Sequence, residues 1–181
     1  MSRRFRERAD RFLLELRAVL EGVDEGEYAR LESALAQAPR LSVFGVGRSG
    51  EILRAFAAAL GQIGRSVQVV LSPGCTALGP EDRLLLATAS GGGRTLLAVA
   101  EEALIRGARV HAITANPISP IARLAETRLT LPPLSLATEG QSPPMGPLHL
   151  RFDQALLAVL DALALDLETR APGGGGGLPI A

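Results

Sequence analysis

Between Leu41 and Leu131 the chain repeats one rhythm: a short apolar run closed by Gly, Ser or Pro, then a stretch at helical spacing. LSVFGV, SVQVVL, DRLLLATA, ARVHAITA and TRLTL are the apolar runs. Helix patterns cover 49–63, 94–107 and 119–125. Short runs without polar alternation are strands buried on both faces, which requires parallel pairing with helices on either side. The rhythm therefore predicts an α/β fold: a doubly wound, five-stranded parallel sheet flanked by helices, in three layers. At 181 residues the chain can enclose one such core.

The flanks read differently. Phe5, Phe12, Leu13, Leu16, Val19 and Leu20 recur at helical spacing over 3–21, and a second helix is predicted over 27–38, with Pro39 just past its end. Leu148, Phe152, Leu156, Val159, Leu160 and Leu163 line one side of a long helix over 148–170. PPLSLATEGQSPPMGP, 132–147, is too long for a mere connector, and such loops tend to carry function. The tail APGGGGGLPIA has no core-forming pattern and is expected to be flexible. The division is thus a helical N-terminal arm over 1–38, the α/β domain over 39–170 and a tail over 171–181.

Composition excludes several chemistries. Nineteen basic residues balance nineteen acidic ones, so no overall field favours nucleic acid or a membrane surface. Every basic residue is Arg, which removes Schiff-base and P-loop lysine chemistry. A single cysteine, Cys75, cannot form an internal disulfide, and with two histidines no structural zinc set can be assembled. The apolar runs break before the roughly 18 residues a membrane span needs. The basic start (Arg3, Arg4, Arg6, Arg8, Arg11) is interleaved with Glu7, Asp10 and Glu15, as on a solvated helix face. A soluble, cytoplasmic protein without nucleic-acid or membrane partners is expected.

Two glycine-rich turns stand where a parallel sheet binds its ligands, at the carboxyl ends of strands. The first is Gly45-x-Gly47-x-x-Gly50, carrying Arg48 and Ser49. The second is SGGGRT, with Ser90, Gly91, Gly92, Arg94 and Thr95. Each joins a strand to a helix, so backbone N–H groups and the positive helix end face one pocket, with a hydroxyl and a guanidinium added. The first turn also fits the dinucleotide fingerprint, but that motif needs an acidic residue about 20 positions on, at the end of the second strand. That strand ends VVLSPG, with Ser72 and Pro73 where the carboxylate should be. The loops therefore read as phosphate sites without a nucleotide cofactor.

FGVGRSG, SGGGRT and PPMGP…FDQALLAVLDAL together resemble the sugar isomerase (SIS) domain family, most closely its 6-phospho-3-hexuloisomerase branch, from about Leu41 to Leu167. The resemblance implies a SIS-type, flavodoxin-like sandwich, assembled as a homo-oligomer, tetramer or dimer. It implies a small phosphosugar held by Ser49, Ser90 and Thr95, and conversion of a 3-hexulose 6-phosphate to fructose 6-phosphate without metal or cofactor. Two positions depart from the family pattern. Gly92 replaces the second serine of Ser-Gly-Ser-Gly. Phe152-Asp153-Gln154 stands where relatives resemble Phe-Glu-Glu, and the resemblance implies that the glutamate moves the proton.

Moving a carbonyl between C3 and C2 needs a base to carry a proton through a cis-enediol. Asp153 has the family position. His149 lies one turn earlier, at i and i+4 with Asp153, and its ordinary pKa is near working pH. Glu139 in the Pro-rich loop is a third candidate. His111, inside a predicted strand, reads as a packed or interface histidine, and Arg48 as either a phosphate ligand or the partner of a carboxylate. Two other functions stay open: a non-catalytic sugar-phosphate sensor, and an isomerase of another phosphosugar such as a heptose phosphate. Against the sensor, the sequence shows no output domain beside the α/β unit.

Overall fold

A computed structural model describes residues 3–133 and 148–170. In chain order the elements are α1 (Arg3–Glu21), α2 (Glu25–Ala36), β1 (Arg40–Gly45), α3 (Arg48–Gln62), β2 (Val67–Val69), β3 (Asp82–Thr88), α4 (Arg94–Ile105), β4 (Arg109–Thr114), α5 (Pro120–Leu124), β5 (Thr127–Thr130) and α6 (Leu148–Thr169). The five strands form one all-parallel sheet in the order β2-β1-β3-β4-β5. The expected α/β sheet is present, and its order reverses between β1 and β3, the point where such sheets bind ligands.

Alternate strand residues feed two cores, because successive side chains of a strand point to opposite faces. Val43, Leu85, Ala87, Ile113 and Leu129 pack with residues of α1, α2, α3 and α6. Phe44, Leu84, Leu86, Val110 and Ala112 pack with α4 and α5. The second face is thinner. Between β2 and β3 the chain crosses as a loop, not a helix, and an open cleft of about 540 Å³ remains there, with Val70 and Leu78 in its wall.

Val19, Leu31 and Leu35 belong to the same core as the sheet, so the two N-terminal helices cover one sheet face. Arg151, buried on α6, donates to Glu15 of α1 at 2.6 Å. α2 begins two residues before its predicted start because the Asp24 side chain accepts from Glu27 N–H at 2.6 Å and so caps it. Of the apolar side chains predicted for the last helix, Phe152, Leu156, Val159, Leu160 and Leu163 are buried, and that of Leu148 lies outside the described side chains.

Candidate active site

The first turn leaves β1 and enters α3 within three residues, and close backbone approach explains its outer glycines. A Cβ on Gly50 would lie 2.5 Å from the Gly45 carbonyl oxygen. Helix and strand therefore touch at a distance only hydrogen side chains allow. Gly47, at φ 66°, is the N-cap of α3 and supplies no side-chain hydrogen bond, so the first N–H groups of that helix have no cap.

Asp153 closes this turn from the other side. It sits in the second turn of α6 with 3% of its surface exposed. Its Oδ1 accepts from Ser49 Oγ at 2.8 Å and its Oδ2 from Arg48 Nε at 3.0 Å. Of the two readings of Arg48, the structure has the carboxylate pair, although 61% of the Arg48 side chain is still open to solvent. Both Asp153 oxygens are thus engaged by donors from the first turn.

The second turn lies at the same edge of the sheet, since Gly45 and Ala87 are register partners on adjacent strands. Ser90, Gly92, Arg94 and Thr95 are exposed, and Gly91 is buried. Gly93, the N-cap of α4, offers no side-chain cap, so this helix also starts without a cap among the described residues. Arg94 has no ion-pair partner among the described residues. Two helix starts without side-chain caps, two hydroxyls and a guanidinium unpaired among the described residues thus border one strand edge, a setting that attracts a phosphate dianion.

Four side chains unmarked by the sequence reading hold the second turn in place. Thr88 Oγ1 accepts from Gly91 N–H at 3.1 Å, and Asn116 Nδ2 reaches the Ser90 carbonyl at 3.5 Å. Asn116 N–H in turn donates to Thr114 Oγ1 at 3.2 Å. Ser119 caps α5 by accepting from Ala122 N–H, and its Oγ lies so close to Gly91 that a Cβ there would come within 2.0 Å. The signal was present in TANPISP, whose Asn-Pro and Ser-Pro pairs mark turns. What it lacked was the pairing of β4 with β3, which lays that turn beside Ser90.

His149 is on α6, one helical turn before Asp153. Glu139 lies outside the described residues, as do the rest of 134–147 and the tail. His111 is fully buried in β4, 2.8 Å from Thr127 Oγ1, and burial lowers its pKa to about 4. Among the described residues no group of His, Cys, Asp and Glu has the makings of a metal site. No described helix is long and apolar enough to cross a membrane.

The family model for the SIS domain matches residues 34–137. A 3-hexulose-6-phosphate isomerase of Mycobacterium gastri is 34% identical over 141 residues, spanning 78% of this chain and 71% of the relative. Among solved structures, a hypothetical protein from Methanococcus jannaschii, whose structure was said to infer a function of 3-hexulose-6-phosphate isomerase, superposes with a TM-score of 0.76 at 24% identity, over 91% of this chain and 90% of that one. The Vibrio vulnificus NanR protein complexed with ManNAc-6P superposes with a TM-score of 0.73 at 20% identity, over 92% of this chain and 62% of that one.

Proposed function

The chain belongs to the SIS domain family, and from that premise we propose that it is a sugar-phosphate isomerase interconverting 3-hexulose 6-phosphate and fructose 6-phosphate. The observation that carries the reading is the uncapped start of α4 behind Ser90, Arg94 and Thr95, a phosphate cradle at the switch point of the sheet. The phosphate oxygens would accept from the helix N–H groups and from the Ser90 and Thr95 hydroxyls, with Arg94 balancing the charge. Gly92 leaves a backbone N–H where the family pattern has a hydroxyl.

With the phosphate fixed there, C2 and C3 would extend toward the first turn and the start of α6. A base removes the C2 proton while the C3 oxygen gains one, giving the cis-enediol. Loss of the O2 proton and delivery of a proton to C3 complete the shift of the carbonyl, with no net oxidation. His149 is the proposed shuttle, with Glu139 as its alternate. Asp153 holds Arg48 and Ser49 in register as a positioning residue. This division is supported by the burial of Asp153 and by the donors on both its oxygens.

The test is incubation with 3-hexulose 6-phosphate, following fructose 6-phosphate formation with and without chelator. Formation that survives the chelator supports the reading. A chain that binds phosphosugars yet turns none over would be a sensor instead.

We further propose a homo-oligomer, tetramer or dimer, built on α1 and α6. Leu13 and Leu14 on α1, and Leu157 and Leu165 on α6, are exposed. A cleft of about 290 Å³ between these helices is lined by Phe12, Leu16, Leu157 and Ala158. Apolar surfaces of this kind are normally covered. A stable monomer by light scattering at micromolar concentration would reject it. A cytoplasmic location is proposed with it, since it suits substrates of this kind.

A further inference from the structure

At the opposite pole of the sheet, below the N-terminal ends of β3, β4 and β5, a polar pocket of about 260 Å³ opens against α2. Arg83 and Arg109 are register partners on adjacent parallel strands, so their side chains leave the sheet on the same face. Arg30 and Ser33 approach from α2, and Thr127 and Glu126 close the β5 side. Three arginines thus line the pocket with one carboxylate, the Arg30 guanidinium lying a turn back along α2 near Gly26, from where its long side chain can swing in. Glu126 is committed to Arg109, with Oε1 at 3.3 Å from Nη1.

Most arginines near the sheet are used structurally. Arg40 is bound by Asp82, Arg48 by Asp153, Arg128 by Glu27 and Arg151 by Glu15. Arg65 donates to the Leu35 and Ala36 carbonyls, so the negative end of α2 is already satisfied by a residue outside the pocket. Arg30 and Arg83 have no ion-pair partner among the described residues. Arg83 is half-buried, where an uncompensated charge is costly unless something fills the site.

We propose that this pocket is a second anion site, for a phosphate group held by Arg30, Arg83 and Arg109 with the Ser33 and Thr127 hydroxyls. A guanidinium fork matches phosphate oxygens two at a time, and three forks with two hydroxyls suit a dianion or trianion. The volume of about 260 Å³ takes a pyrophosphate or a small phosphorylated metabolite. The site is separate from the catalytic edge, because it sits at the other ends of the same strands.

The experiment titrates inorganic phosphate, pyrophosphate and fructose 6-phosphate separately into the full chain carrying Ser90→Ala and Thr95→Ala, which weaken the catalytic cradle. Calorimetry and melting temperature are the readouts. Saturable pyrophosphate binding is expected to persist in that variant and to weaken about tenfold or more when Arg30→Gln or Arg83→Gln is added. Arg30 is exposed, so its substitution leaves the fold intact even if that of Arg83 does not. Tighter binding of fructose 6-phosphate than of the inorganic anions would identify an organic occupant; the reverse order would identify free phosphate or pyrophosphate. Loss of all binding in the cradle variant, or binding unchanged by Arg30→Gln, would overturn the site. Neither readout depends on turnover, so a failure of the isomerase reading leaves this test intact.

Discussion

Ser49 Oγ donates to Asp153 Oδ1 at 2.8 Å, joining the first turn of α3 to α6 across 104 positions of sequence. With Arg48 on the other oxygen, this carboxylate fixes where the first glycine turn stands relative to the last helix. Removing its charge should therefore disturb substrate placement before it disturbs proton transfer. Asp153→Asn is expected to raise KM for the phosphosugar about tenfold and to lower kcat by less than that. His149→Ala should lower kcat by roughly 10² to 10⁴, the usual range for a lost acid–base group, with KM nearly constant. Steady-state kinetics on both variants separates the roles. A large kcat loss at constant KM in Asp153→Asn would make Asp153 itself the shuttle.

Gly91 has φ 70° and sits against Ser119, where a Cβ would approach Oγ to 2.0 Å. Both the backbone conformation and the contact oppose any side chain. Gly91→Ala should cost about 1–3 kcal/mol of stability and move the Ser90–Thr95 cradle. Urea unfolding reads the first effect, and a raised KM reads the second. An unchanged KM would mean that the cradle tolerates displacement of its first glycine.

His111 is fully buried, and burial lowers its pKa from 6.5 to about 4. Between those values the unfolded chain binds a proton that the folded chain refuses. Stability from this residue is therefore complete above about pH 7 and is lost as pH falls toward 4. The full loss is about 3 kcal/mol if the shift is taken at about 1.4 kcal/mol per unit. The stability of His111→Leu should depend less on pH across this window than that of the wild type, by urea midpoints from pH 4 to 7. Parallel pH curves for the two would refute the assignment.

Arg40 at the start of β1 grips Asp82 at the start of β3, with Nε 2.6 Å from Oδ1, and also reaches Thr76 Oγ1 and the Ala77 carbonyl. The Arg40 guanidinium holds the Asp82 carboxyl below the usual carboxylate range. Asp82 is 3% exposed. Arg40→Ala would strand that buried charge at a cost of about 3–5 kcal/mol. The β2–β3 crossover, pinned by the same guanidinium, should loosen with it. Hydrogen exchange over 72–80 and the unfolding midpoint check the two consequences. Protection unchanged in that loop would show that Gln68, which bonds Thr76 by three hydrogen bonds, suffices to hold it.

The strand and helix rhythm was legible because each element is specified locally. Short apolar runs such as DRLLLATA, closed by turn residues, read as two-sided strands, and glycines at 45, 47 and 50 and at 91–93 mark turns of unusual geometry. Hence the α/β architecture, the six helices to within about two residues and the two glycine turns all follow from spacing. The exclusion of a ribose-binding carboxylate follows from Ser72 and Pro73 alone.

Tertiary structure decided which polar side chains meet. Nothing local to GRSG shows that Asp153 will occupy both its donors, and nothing local to SGGG shows that Thr88, Asn116 and Ser119 will brace it. Nor does spacing bring Arg30, Arg83 and Arg109 to one pocket. Strand order determines those meetings: β3 lies between β1 and β4, and α6 returns over α3. That order is selected by how whole apolar faces cover one another, a property of the assembled layers and not of any one segment.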